Sequence, residues 1–236
     1  MEPAILHPAI LYEDADLIVL SKPAGLQVHA AKISASRRPA AEKDGRDARP
    51  LLTEWLLGRY PEMGSVGDDP STRPGIVHRL DKETSGIMVA ARNQKTFLYL
   101  KELFRKHEIK KTYLAIVMGM PKKEEGVIDA PIGILNGTLK RSVHSPKMAK
   151  EAVTEYKVVR PVHDGGAALL EVRPRTGRTH QIRVHLASIG HPIAGDRLYG
   201  PKKQPPWADR LMLHALSLEF TTQEGKRMRF AAEAPF

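Results

Sequence analysis

The chain of 236 residues contains no cysteine. This absence excludes disulfide bridges, thiolate zinc sites and a cysteine nucleophile. Apolar runs are also far shorter than the roughly 18 residues that a membrane-spanning helix needs. The N-terminus lacks the basic region and apolar run of a secretory signal. We therefore expect a cytoplasmic protein with no membrane contact, stabilised by its own hydrophobic core.

Acidic and aromatic residues are few. Lysine and arginine number 37 against 27 acidic residues, which gives a formal net charge of +10, and aromatics make up only 6% of the chain. An excess of positive charge attracts polyanions and speeds their encounter. Charge alone does not distinguish RNA, DNA and anionic lipid, and a basic proteome background is a further explanation. The scarcity of aromatics limits base stacking to a handful of positions.

Several well-known motifs are absent, namely a GxxxxGK[ST] loop, a GxGxxG loop behind a strand and an HExxH helix. The segment His78–Asp81 only superficially resembles a kinase catalytic loop, because that loop has aspartate directly after arginine and an asparagine further on. Nothing in the sequence therefore predicts a phosphate-cradling loop, a dinucleotide site or a zinc protease.

Short apolar runs bounded by turn residues predict more strands than helices. Several strands are joined by short turns instead of helical crossovers, which predicts an α+β fold with a largely antiparallel sheet. We predict one domain at residues 1–236, with a mobile insertion at residues 30–49, where periodicity is lost. The predicted strands are Ala9–Glu13, Leu17–Ser21, Ile76–Val77, one from Ile87, Lys110–Val117, Gly126–Ile132, Ala152–Arg160, Ala167–Arg173, Leu211–Phe220 and Arg227–Ala232. The predicted helices begin at Pro50, at Asn93 and at Thr179, the last ending before a Gly190 C-cap.

The segment Gly75–Gly86 (GIVHRLDKETSG) places a carboxylate, cations and hydroxyls between two apolar runs. Ile76–Val77 and Ile87–Ala91 predict strands on both sides, so the charged middle is predicted to be a rigidly held loop. An ordinary surface loop needs no such flanks. Asp81 is therefore a candidate catalytic carboxylate.

A second segment, Arg173–His185, carries four arginines and two histidines around a predicted helix N-terminus. Burial favours the protonated form of an aspartate, and an arginine within reach restores the ionised form. Arg183, beside the apolar stripe of this helix, is the candidate partner of Asp81. A solvated basic face is an adequate explanation for the other arginines of the segment. His180 and His185 lie five residues apart on different helix faces and are interpreted as structural.

Five segments, in this order, resemble RluA-type RNA pseudouridine synthases. They are Leu11–Gly25 (LYEDADLIVLSKPAG), Gly75–Asn93 (GIVHRLDKETSGIMVAARN), Lys111–Val117 (KTYLAIV), Gly177–Tyr199 with its GHPIAGDRLYG tail, and Leu211–Phe220 (LMLHALSLEF). The resemblance covers nearly the whole chain apart from residues 30–49. Because the chain begins directly at the opening hairpin, it resembles the shorter members, without an S4-like RNA-binding module.

The resemblance implies isomerisation of uridine to pseudouridine in structured RNA, either tRNA or rRNA, without cofactor or metal. It assigns the nucleophilic aspartate to Asp81, the base-stacking tyrosine to Tyr113 and the salt-bridging arginine to Arg183. Attack by the carboxylate and abstraction of a sugar proton both remain open as the route. We expect the protein to act as a monomer.

The same resemblance implies three residues that bind the substrate. Arg79 is expected to enter the RNA stack where the flipped base leaves it, and Leu213 and Arg178 are expected to contact the RNA. Two other classes remain as alternatives: an RNA-folding factor without turnover, and a hydrolytic nuclease. The first should have lost Asp81, Tyr113 or Arg183, and all three are present. The second lacks a carboxylate or histidine cluster that could hold metal.

Overall fold

A computed structural model describes residues 7–30, 51–135 and 140–236. The insertion predicted at residues 30–49 lies outside the described residues except for Ala30. Within these ranges, no helix is long and apolar enough to cross a membrane. The helices are α1 Leu52–Arg59, α2 Gln94–Arg105 and α3 Gln181–Ser188, with a 3-10 helix at Pro61–Ser65. The strands are β1 Ala9–Glu13, β2 Leu17–Lys22, β3 Ser85–Ala91, β4 Lys110–Met118, β5 Glu125–Asp129, β6 Gly133–Ile134, β7 Arg141–Ser142, β8 Val153–Val162, β9 Ala167–Pro174, β10 Leu213–Thr221 and β11 Arg227–Ala231.

In the described part of the chain, nine strands form one sheet in the order β1-β2-β3-β10-β4-β9-β8-β5, and β11 pairs with β10. Neighbouring strands are antiparallel except at β3 and β10, which run parallel. Short turns join β1 to β2 and β8 to β9. The prediction of an α+β fold with a largely antiparallel sheet is confirmed.

The hydrophobic core has two large clusters. One is built from β2, β3, α1 and α2, and the other from β4, β9 and α3. β3 is buried along its whole length, as expected from its unbroken apolar run Ile87–Ala91. Tyr113 on β4 packs against both clusters. The candidate site therefore lies where the two clusters meet.

The strand predicted at Ile76–Val77 is wrong. Ile76 makes only an isolated bridge with Ala90. Beyond this bridge the Nε2 atom of His78 accepts a hydrogen bond of 3.0 Å from the backbone N–H of Val89. Because a side chain satisfies this donor, the chain before the loop does not continue as a ladder along β3.

Gly86 lies where β3 and β10 pair, opposite Ala215, and yields a stability prediction. Its φ is +116°, and a Cβ atom there would lie 2.2 Å from the carbonyl oxygen of Ala215 on β10. Gly86→Ala is expected to lower the free energy of unfolding by about 3 kcal/mol, because backbone strain adds to overpacking. For a chain of this size that corresponds to a fall of roughly 10 °C in the melting temperature.

Gly58→Ala is the matched control for this prediction. Gly58 lies in α1 and a Cβ there meets nothing within 4 Å, so this change should leave stability equal or raise it. Equal melting temperatures for the Gly86→Ala variant and the unaltered protein would contradict the close approach of β3 and β10.

Candidate active site

The loop between His78 and β3 is held by the end of the opening hairpin. The carbonyl oxygen of Lys82 accepts hydrogen bonds from the Gly25 N–H (2.8 Å) and from Nζ of Lys22 (3.0 Å). The loop also closes on itself, because the Thr84 N–H donates to the Asp81 carbonyl (3.1 Å). These bonds fix the backbone on both sides of the Asp81 side chain.

Lys22 is fully buried beneath this loop. Its ammonium also donates to the carbonyls of Pro23 (2.9 Å) and Leu26 (2.8 Å). Three acceptors match the three N–H donors of a lysine. Burial lowers the pKa of Lys22 to about 7. We read Lys22 as a structural anchor of the loop, since its donors are directed at backbone oxygens.

The Asp81 carboxylate faces α3. Its Oδ2 lies 3.3 Å from Nη1 of Arg183 and 3.8 Å from Nε2 of His180. The Asp81 side chain is 18% exposed, so it remains reachable from solvent. The contact between Asp81 and Arg183 that was predicted from the sequence is present.

Arg183 makes two hydrogen bonds to Asp196 and one to Asp81. Its Nε and Nη2 atoms donate to the two carboxylate oxygens of Asp196 at 2.7 and 2.8 Å. Asp196 therefore takes two donors of the guanidinium and leaves Nη1 for Asp81. Burial alone would lower the pKa of Arg183, but the hydrogen bonds and charge of Asp196, with those of Asp81, raise it above its usual value.

Asp196 is fixed by its own backbone as well as by Arg183. The N–H groups of Leu198 and Tyr199 donate to its Oδ1 at 2.9 and 3.0 Å. Burial acts to raise the pKa of Asp196, yet the bonds and charge of Arg183 outweigh burial and hold it below its usual value. The guanidinium carbon of Arg183 lies 5.2 Å from the ring centroid of Tyr199. Arg183 is therefore held rigidly before any substrate arrives.

His180 was interpreted as structural, and that interpretation missed its position beside Asp81. It precedes α3 in a left-handed conformation (φ 58°), unusual for a residue with a side chain. Its Nδ1 is 2.7 Å from the Tyr199 hydroxyl, which accepts a hydrogen bond from the Arg141 N–H (3.0 Å). This contact orients the ring with Nε2 on the side of Asp81. Burial lowers the pKa of His180, so the neutral ring is favoured at pH 7.

The second histidine of the segment is structural, as predicted. His185 is fully buried, with Nδ1 at 2.8 Å from Oγ1 of Thr154 and Nε2 at 2.9 Å from the Ala130 carbonyl. His78 is a further structural histidine at the loop. Its ring stacks on Phe104 with centroids 4.5 Å apart, and burial, with a smaller contribution from a nearby lysine, lowers its pKa to about 3.

A cavity of about 500 Å³ opens above Asp81, a size typical of small-molecule sites. It brings together all six residues named from the sequence, which are Arg79, Asp81, Tyr113, Arg178, Arg183 and Leu213. Tyr113 and the buried Leu213 come from the adjacent strands β4 and β10, and Arg79 is exposed with Nη1 at 3.4 Å from Nε2 of His29. Burial raises the pKa of Tyr113, and the charge of Asp81 raises it further, so its phenol is neutral.

Three lining or supporting residues had not been named for the site: His180, Asp196 and Tyr199. Asp196 and Tyr199 lie within the tail that carries the resemblance, which was the available signal. In the ranges that the structure covers, no group of three or more His, Cys, Asp or Glu side chains is arranged to hold a metal ion. The chemistry that this geometry supplies is a carboxylate that shares a cavity with an aromatic ring.

Residues 16–188 match the family described as RNA pseudouridylate synthase. This chain belongs to that family. Its members isomerise uridine in RNA to pseudouridine. The chain is 38% identical to ribosomal large subunit pseudouridine synthase D of Zymomonas mobilis, over 99% of this chain and 71% of that protein. Because synthase D is an RluA-type enzyme, the resemblance drawn from the five segments is confirmed.

Other relatives extend the comparison. An uncharacterized RNA pseudouridine synthase of Aquifex aeolicus is 43% identical over 86% of this chain, and the chain spans only 59% of that relative's length. The structure of human RNA pseudouridylate synthase domain containing 4 superposes with a TM-score of 0.72 at 28% identity, covering 96% of this chain and 88% of the human one. The family fold therefore extends over nearly the whole chain.

Proposed function

We propose that this chain isomerises specific uridines of ribosomal RNA to pseudouridine, with Asp81 as the catalytic carboxylate. The observation that carries the proposal is a cavity of about 500 Å³ in which Asp81 faces Arg183 and lies with Tyr113. The relatives named as synthases of the large ribosomal subunit favour rRNA as the substrate. Transfer RNA is the alternative substrate for the same site.

The reaction requires one glycosidic bond to break and one carbon–carbon bond to form. The N1–C1′ bond of uridine is cleaved, the base turns within the site, and C5 joins C1′. The proton on C5 is lost and N1 gains one, so the product is an isomer and no reductant or energy source is consumed. Asp81 acts either by attacking the nucleoside or by removing a sugar proton. Carboxylates serve as nucleophiles at anomeric carbons in glycosidases.

The target base must leave the RNA stack to reach Asp81. Extrusion costs a few kcal/mol, and stacking on one aromatic side chain returns roughly 1–3 kcal/mol. Tyr113 offers that stacking surface, and the exposed Arg79 at the edge of the cavity is suited to replace the base in the stack. These two residues together can roughly balance the cost of flipping.

Tyr113 yields a prediction that separates the ring from the hydroxyl. Tyr113→Phe should keep RNA affinity close to that of the unaltered protein, because stacking survives. Tyr113→Ala should weaken affinity by about 10-fold or more, as expected for the loss of one stacking contact. Both are measured by binding of a catalytically inactive Asp81→Asn background to an RNA transcript. Equal losses for the two variants would contradict a stacking role.

The proposed function is tested with purified protein and unmodified transcripts. Large-subunit rRNA, small-subunit rRNA and a pool of tRNAs are incubated separately, and pseudouridine is mapped at single-nucleotide resolution. We expect new pseudouridines at one or a few positions of large-subunit rRNA. Modification confined to the tRNA pool would overturn the rRNA assignment, and modification of no transcript would overturn the activity. Action on ribosomal RNA in a bacterium is consistent with a cytoplasmic location.

A further inference from the structure

A second cavity of about 250 Å³ lies next to the first. The two cavities share the lining residues Gly177, Arg178 and Thr179, so these residues lie at the boundary between them. The second cavity is lined on its far side by β6 and by Arg141 of β7, together with Lys150. Three cations therefore face this cavity, and none of its lining residues is acidic.

These three cations differ from most arginines around them. Arg173 and Arg175, in the same segment as Arg178, pair with Glu171 and Glu155. Arg141, Lys150 and Arg178 form no ion pair with a carboxylate in the part of the chain that the structure describes. Arg178 donates from Nε to the carbonyl of Glu151 (2.9 Å), which orients the group and leaves its two NH₂ ends available.

Three like charges around one cavity repel one another, and an anion in the cavity relieves that repulsion. Arginine and lysine are the usual ligands of RNA phosphates, and arginine can hold one by two hydrogen bonds. Since Arg178 lines both cavities, an RNA strand that passes Arg178 can place a nucleoside in the first cavity and a backbone phosphate in the second.

We propose that the second cavity is a phosphate subsite for a nucleotide adjacent to the target uridine. This inference rests on the proposed function and specifies how the RNA strand crosses the site. Arg141, Lys150 and Arg178 hold the phosphate while the flipped uridine occupies the cavity above Asp81.

The hydrogen bonds at the wall of this subsite connect it to the catalytic carboxylate. The backbone N–H of Arg141 donates to the Tyr199 hydroxyl, which bonds to His180, and His180 faces Asp81 at 3.8 Å. The strand that carries Arg141 is therefore positioned by the same side chains that surround Asp81. A phosphate bound by Arg141 therefore fixes the position of the RNA strand relative to the reacting nucleoside.

The test is the double variant R141Q/K150Q, compared with the control K157Q/R160Q. Both remove two positive charges, and Lys157 and Arg160 are exposed on β8 and line neither cavity. Binding of single-stranded dodecauridylate is measured from 50 to 300 mM KCl. Each lost phosphate contact should reduce the slope of log K against log salt by about 0.7. We expect a reduction of about 0.7 for R141Q/K150Q, the loss of one phosphate contact, and none for the control.

Turnover on the rRNA transcript provides the second readout. The KM of R141Q/K150Q should rise by about 10-fold or more, with kcat changed by less than about 3-fold, as expected for lost substrate binding. Melting temperatures verify that both variants are folded, and K150Q alone serves if the double variant is not. Equal slopes for R141Q/K150Q and the control would overturn the subsite. A protein without isomerase activity would overturn the proposed function instead, because the slope is read from binding alone.

Discussion

Asp81→Asn is expected to reduce pseudouridine formation by about 10⁴-fold or more, the scale seen when a catalytic nucleophile is removed. The amide keeps the shape of the side chain and can still lie beside Arg183, so the fold and the cavity should persist. It lacks the negative charge and the nucleophilic oxygen that either proposed route requires. RNA affinity should remain within about 3-fold, because Asp81 lies inside the cavity and not on its basic rim. The measurement is release of tritium from RNA labelled at C5 of uridine.

Glu83→Gln is the matched control for this change. Glu83 lies two residues further along the same loop and is exposed. Glu83→Gln removes the same negative charge. Because Glu83 does not line the cavity, turnover should be unaltered. Turnover by Asp81→Asn within 10-fold of the control would remove Asp81 from the mechanism.

Arg183→Lys is expected to lower kcat by about 10²-fold with little change in KM. The guanidinium binds both oxygens of Asp196 and reaches Asp81 with its remaining nitrogen. A single ammonium cannot make these three contacts together. The carboxylate of Asp81 should then be displaced, and a displacement of about 1 Å from productive geometry costs on the order of 10²-fold. KM is preserved because Arg183 acts on Asp81 and not on the RNA backbone.

Arg175→Lys supplies the comparison for this prediction. Arg175 is exposed and donates from Nε to a carboxylate oxygen of Glu155 at 2.6 Å. The same substitution there alters an exposed pair, which contributes little, so kcat should not change. If Arg183→Lys and Arg175→Lys had equal kcat values, the bridge from Asp196 through Arg183 to Asp81 would have no catalytic importance.

Much of the fold was predictable because local patterns and tertiary structure agree. The unbroken apolar run of β3 and the turn after β8 define their elements without reference to the rest of the chain. Ile76–Val77 was mispredicted because the two apolar residues carry no information about the ring of His78, which takes the hydrogen bond that a strand partner would have taken. That bond joins residues eleven positions apart.

The pairing of Asp81 with Arg183 was predictable from chemistry, because a partly buried carboxylate needs a cation to stay ionised. The two hydrogen bonds from Arg183 to Asp196 were not predictable, since they depend on the turn that brings Asp196 beneath α3. His180 was missed for a similar reason. Its left-handed backbone conformation turns the ring away from the direction that a helical periodicity predicts, and toward Asp81.

We propose that the protein isomerises uridine in ribosomal RNA through the carboxylate of Asp81, which contacts Arg183 in the cavity that Tyr113 also lines. The most direct measurement is a pseudouridine map of total RNA from cells that lack this protein, complemented either by the unaltered chain or by Asp81→Asn. We predict that one or a few pseudouridines of large-subunit rRNA disappear in the deletion, return with the unaltered chain and stay absent with Asp81→Asn. Identical maps in all three strains would contradict both this activity and the role of Asp81 in it.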